Sequence, residues 1–163
     1  MPTAALLALA RDAAAQHALD PALVCAIVEQ ESAWDPHAIR YEPAFRLRYV
    51  ARLGLPPTEE IARSISWGLM QVMGQVAREH GFASKFLAAL CDPATALDVG
   101  CTVFAAKLRA ANNTARLAGP SEDPGQPGGA MNRDVIVRAL ALWNGGANAA
   151  YAAQVLARVQ NFR

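Results

Sequence analysis

Asp20-Pro21 and Pro36 bracket the segment that most limits what this chain can become, because the residues between them suit a packed helix that ends in a carboxylic acid. Asp20 can cap the first free N–H groups, and Pro21 fits the first helical position, where its fixed φ and missing donor cost nothing. Counting 100° per residue, Val24, Ile27, Val28 and Glu31 fall on one face, while Glu29 and Gln30 point elsewhere. An inward carboxyl group at the end of a helix has its anion disfavoured twice, by burial and by the negative end of the dipole. Both effects raise the pKa, which is what a general acid needs near neutral pH. A solvated glutamate close to a helix terminus is the competing reading, and position alone does not choose between them.

At 163 residues and 53% hydrophobic composition the chain has material for one core, so a single domain over 1–163 is expected. Fifteen basic residues against fourteen acidic ones leave no global field of the kind a general nucleic-acid binder carries. Arg40, Arg46, Arg48, Arg52 and Arg63 do cluster near Glu42, Glu59 and Glu60, which reads first as a self-paired, solvated surface and second as a face for an anionic polymer. No basic leader precedes the apolar stretch from Ala4 to Ala10, so no signal peptide is expected, and that stretch is too short to span a membrane. Cys25, Cys91 and Cys101 are expected to be reduced packing residues. His17, His37 and His80 lack metal-ligand spacing, so no metal is expected, and nothing in the sequence implies an organic cofactor. No long exposed apolar helix suggests obligate assembly, and a monomer is expected.

The pattern is almost wholly helical. Helices are expected over Ala4 to His17, from Asp20 to Glu31, from Thr58, from a cap at Ser66 through Gly68 to Met73 and on to Gly81, from Asp92-Pro93 to about Asn112-Asn113, over Arg133 to Trp143, and over Ala147 to Val159. The stretch 41–64 reads as an irregular insert with one short helix besides the one from Thr58, and about 117–130 as a mobile loop rich in Pro and Gly. No strand set is expected.

Three short signatures occur in order: Glu31-Ser32 with Pro36 and Ala38, then Gly68-Leu69-Met70-Gln71, then Trp143-Asn144-Gly145-Gly146 with Tyr151 and Val155. Each alone is weak. Together, from about Leu23 to Val159, they resemble the lytic transglycosylases of the soluble-lytic-transglycosylase type, lysozyme-like enzymes that cut bacterial peptidoglycan. The resemblance implies an all-α, lysozyme-like domain with a helical core and an active-site cleft, a peptidoglycan glycan strand as partner, no nucleic acid, no stable membrane insertion, and action in the periplasm or on the cell wall.

It also implies roles. Glu31 inherits the position of the single catalytic carboxyl group, which serves as acid and then as base, giving 1,6-anhydromuramoyl products without water. Met70 and Gln71 match positions that line the glycan cleft, although a methionine there equally suits the core. Ser66, Trp143, Asn144 and Tyr151 complete the expected substrate-binding set, with helix packing as the other reading of Tyr151. Trp143 departs from the family's usual tyrosine: a ring remains to stack on sugar, and the hydroxyl is lost.

The spacing from Glu31 to Gly68 is longer than in compact members, and Arg40 to Phe45 with Ser66-Trp67-Gly68 resembles the phage and prophage branch, which includes endolysin-type muramidases. If Glu42 crosses the cleft as a second carboxylate, a hydrolytic muramidase follows. Glu42 ending a turn in solvent is the plainer reading. A non-catalytic wall-binding or virion structural module, and a chitinase-like hydrolase on the same scaffold, are the remaining alternatives.

Overall fold

The computed structural model describes residues 2–117, 133–146 and 148–163. Helix α1, Ala4–Gln16, starts where Thr3 accepts from the Leu6 N–H, and α2, Pro21–Ser32, starts where Asp20 accepts from the Ala22 N–H at 2.9 Å. Every residue from Ala22 to Val28 is buried, so α2 is not a helix with one apolar stripe but the central helix of the core. It packs between α1 and α8, Tyr151–Val159, while α6, Pro93–Leu117, packs against α1 and α7, Arg133–Trp143. Cys25 and Cys101 lie within this core as free thiols, and burial pushes them up to about 11 and about 12.

A small antiparallel sheet corrects the expectation that there are no strands. β1, Ile39–Tyr41, pairs with β2, Ile65–Trp67, with Ile39 opposite Trp67 and Tyr41 opposite Ile65, and β2 pairs with β3, Val72–Met73. The helix expected from Ser66 does not form, since Gly68 (φ 64°) and Gln71 (φ 48°) both adopt left-handed backbone that an α-helix cannot contain. The helical part is α5, Gly74–Glu79, and the chain leaves it through Gly81 at φ 90°, where a glycine stop was expected.

The insert leaves β1 through a short helical turn, α3 (Pro43–Phe45), which runs into a π-helical turn over Arg46–Val50 and a 3₁₀ turn over Ala51–Leu53. The helix expected from Thr58 is α4, Pro57–Arg63. A 3₁₀ turn over Leu87–Cys91 then leads to Asp92, which accepts from the Thr95 N–H and hydroxyl ahead of α6. α6 runs past Asn112-Asn113 to Leu117, because buried Ala111 and partly buried Ala115 keep its next turn against the core. α8 begins at Tyr151, since Asn148 accepts from the Ala150 and Tyr151 N–H groups and turns the chain ahead of it, and Ala147, where the helix was expected to start, lies outside the described residues. The loop expected around 117–130 falls outside the described residues beyond Leu117.

Candidate active site

Glu31 occupies the last turn of α2, half-buried, where the chain turns sharply. Ala33 (φ 50°) and Trp34 (φ 69°) are consecutive left-handed residues, and they swing the Trp34 ring back into the core, 5.8 Å from the Phe162 ring. Gln71 is also left-handed, so three of the four non-glycine residues with positive φ among those described flank Glu31 or the loop beside it. Such backbone costs about 1–3 kcal/mol per residue and persists only where its surroundings hold it.

What holds it is a set of hydrogen bonds between the first two sequence signatures. The Ser32 hydroxyl donates to the Leu69 carbonyl at 2.8 Å, and the Gly68 N–H donates to the Ala38 carbonyl at 2.8 Å. The Gln71 amide donates to the Ala38 and Gly68 carbonyls at 2.8 and 2.9 Å and accepts from the Ser66 hydroxyl at 2.8 Å. Ser66 is itself buried, and so is Met70, whose side chain packs where Gly100 of α6 has no Cβ. Met70 therefore belongs to the core in this arrangement, and Ser66 and Gln71 fasten the loop from within. Ser32, which sequence reasoning quoted but gave no role, is the tie between α2 and that loop. Gln71→Ala deletes three hydrogen bonds at roughly 1 kcal/mol each, and the expected loss of about 3 kcal/mol in stability is measurable by urea unfolding.

The third signature meets Glu31 from the other side. The Tyr151 hydroxyl donates to Glu31 Oε1 at 2.5 Å, and the Trp143 indole N–H donates to the same oxygen at 2.9 Å. Tyr151 is buried at the first turn of α8, and Trp143 is held at the end of α7 by an edge-on contact with Phe104, 5.7 Å between centroids. The indole thus supplies the donor whose loss the tyrosine-to-tryptophan departure implied. Asn144 points into its own loop, donating to the Asn148 carbonyl at 3.3 Å.

Burial holds the Glu31 carboxyl above its ordinary value. The hydrogen bonds from Tyr151 and Trp143, and the charge of Arg40 on β1, pull the other way without cancelling it. Burial and the neighbouring Glu31 carboxyl together push the Tyr151 phenol upward, so Tyr151 stays a donor. Glu42 lies at the end of β1, where its Oε1 is held by Arg40 Nε at 2.6 Å and its N–H by the Ser64 carbonyl. Two surface hollows, one along α8 near Leu156 and Gln160 and one along α4 near Ile61, involve none of these side chains. Among the described residues, no group of three or more His, Cys, Asp or Glu is placed to hold a metal ion.

The family model described as the transglycosylase SLT domain matches residues 8–158. Searches of curated proteins and of solved structures return no match.

Proposed function

The chain belongs to the transglycosylase SLT domain family, lysozyme-like domains of lytic-transglycosylase type that act on peptidoglycan, and on that premise we propose that it cleaves the β-1,4 bond between N-acetylmuramic acid and N-acetylglucosamine with Glu31 as the only catalytic carboxyl group. The observation that carries this reading is that Tyr151 and Trp143 both donate to Oε1. An oxygen accepting two hydrogen bonds is a poor place for the acid proton, so the proton resides on Oε2, and among the described residues Oε2 has no protein hydrogen-bond partner.

From Oε2 the proton passes to the bridging oxygen as the bond to muramoyl C1 breaks. The oxocarbenium-like C1 is then captured by the substrate's own 6-hydroxyl, whose proton returns to the Glu31 carboxylate. The products are a 1,6-anhydromuramoyl end and a free 4-hydroxyl on the leaving sugar, with no water consumed. The pKa logic serves both halves: burial keeps the acid protonated at the start, and two fixed donors stabilise the anion that forms.

Glu42 is the residue that a hydrolytic alternative needs, and its carboxylate is committed to Arg40, which argues against a free general base at that position. Weighing the fragments released from purified peptidoglycan tests the choice. Products lighter by one water support the transglycosylase, and hydrated reducing ends support a muramidase. Release from chitin oligomers but not from peptidoglycan would point to another amino-sugar hydrolase.

Tyr151→Phe deletes the shorter hydrogen bond to Oε1 while keeping the ring. That bond favours the anion, so its loss raises the Glu31 pKa further, and the alkaline limb of the rate profile should move to higher pH. The rate on the plateau should fall roughly tenfold as the emerging carboxylate loses a donor. A pH series on soluble glycan fragments reads both effects.

A further inference from the structure

The cluster of five arginines separates into two kinds once its ion pairs are assigned. Arg40 is held by Glu42 at 2.6 Å, Arg46 by Glu60 at 2.6 Å, and Arg63 by Glu59 at 2.8 Å, which uses all three carboxylates of the insert. Arg48 and Arg52 are left without a carboxylate among the described residues, and both are exposed. They share one short excursion with Leu47, Tyr49 and Leu53, which are 71%, 40% and 44% exposed. Within that stretch the buried side chain is Val50, and the turn closes at Gly54, around whose Cα the space is open. The Arg48 guanidinium lies over the Tyr49 ring at 5.1 Å, and that ring lies 4.8 Å from Phe45. The carboxylates of the insert are thus all paired, while the tip presents two cations among aliphatic and aromatic side chains.

We propose that the tip of the insert, Leu47 to Leu53, is a contact surface for the headgroup region of an anionic phospholipid bilayer. An anionic wall polymer would satisfy Arg48 and Arg52 and would leave Leu47 and Leu53 in water. A bilayer interface takes both, the leucines reaching the acyl boundary while the arginines remain among the phosphates. Single exposed leucines are ordinary, and it is their grouping with uncompensated cations that selects this occupant. Contact of this kind is weak, reversible and salt-sensitive, and it would hold a peptidoglycan-cleaving domain at the membrane-facing side of the wall.

Cosedimentation of the full chain with phosphatidylglycerol vesicles tests the assignment, with phosphatidylcholine vesicles and 0.5 M salt as comparisons. Binding to the anionic vesicles alone is expected, weakened roughly ten- to thirtyfold in Arg48→Gln/Arg52→Gln by loss of two surface cations. It should weaken severalfold in Leu47→Ser/Leu53→Ser, with turnover of soluble glycan fragments unchanged in both. Undiminished binding by the leucine variant would overturn the bilayer assignment in favour of a simple polyanion site. Equal binding to both lipids, or none to either, would overturn it without recourse to any variant.

Discussion

Glu31→Gln should lower the release of soluble fragments from purified peptidoglycan by about a thousandfold or more while leaving the protein folded. A positioned general acid typically contributes 10²- to 10⁴-fold, and in the proposed mechanism the same group returns as the base, so both transfers would be lost together. The amide is close to isosteric, and its carbonyl oxygen can accept the Tyr151 and Trp143 hydrogen bonds that Oε1 accepts now. Stability should therefore change little at low pH, within about 0.5 kcal/mol. The pH dependence gives a second reading of the same variant. Burial raises the folded-state pKa of Glu31 above its ordinary 4.5, so the native protein gains stability from the bound proton at low pH and loses it as pH rises through the folded value. Glutamine carries no such penalty. The variant should become more stable relative to the parent across that interval and keep the advantage above it, as thermal melts over a pH series would show. Undiminished turnover by Glu31→Gln would remove Glu31 as the catalytic carboxyl group, and no release by either protein would favour a binding module.

Much of this arrangement is legible in the sequence wherever the determinant is local. Asp20-Pro21 announces α2, Gly81 the end of α5 and Asp92-Pro93 the start of α6, because each works through its own side chain or backbone on the next few residues. The sheet is not legible. Its strands are three residues or fewer, too short for alternation to register, and β1 finds β2 across an insert whose length gives no hint of the pairing. A helix is expected at Gly68 to Met73 because the residue types permit one, whereas the left-handed backbone at Gly68 and Gln71 is held by the neighbouring Ser66 hydroxyl and by the Ala38 carbonyl, which pattern alone does not place beside it. The site divides the same way. The inward position of Glu31 follows from helical periodicity, whereas the inward turn of Gln71, the core placement of Met70 and the indole donor of Trp143 depend on which elements meet in space. Trp143 is the instructive case, since a substitution that removes one kind of donor supplies another from a ring of different shape.

Gly68→Ala should be the most damaging conservative change outside Glu31, costing about 3 kcal/mol of stability. Two independent costs add at this position. The first is conformational: φ is 64°, and a Cβ in left-handed backbone is disfavoured by roughly 1–2 kcal/mol. The second is steric: the new methyl would overlap the Leu90 carbonyl oxygen and lie 3.2 Å from its carbon and 3.3 Å from Ala96 Cβ. Overpacking of this kind costs about 1–3 kcal/mol. No flexible side chain can yield, because Leu90 belongs to the 3₁₀ turn that delivers Asp92 to the start of α6. Gly54→Ala is the matched control, with φ 65° and open space around its Cα, so it bears the conformational cost alone. The difference between the two in urea unfolding isolates the close approach, and equal losses would show that the contact is relaxed at no cost. Activity should follow the same order at temperatures where both variants are folded. Gly68 donates to the Ala38 carbonyl, the acceptor Gln71 also uses, so a displaced loop would disturb the platform to which Ser32 ties the end of α2 and move Glu31 relative to the Tyr151 and Trp143 donors.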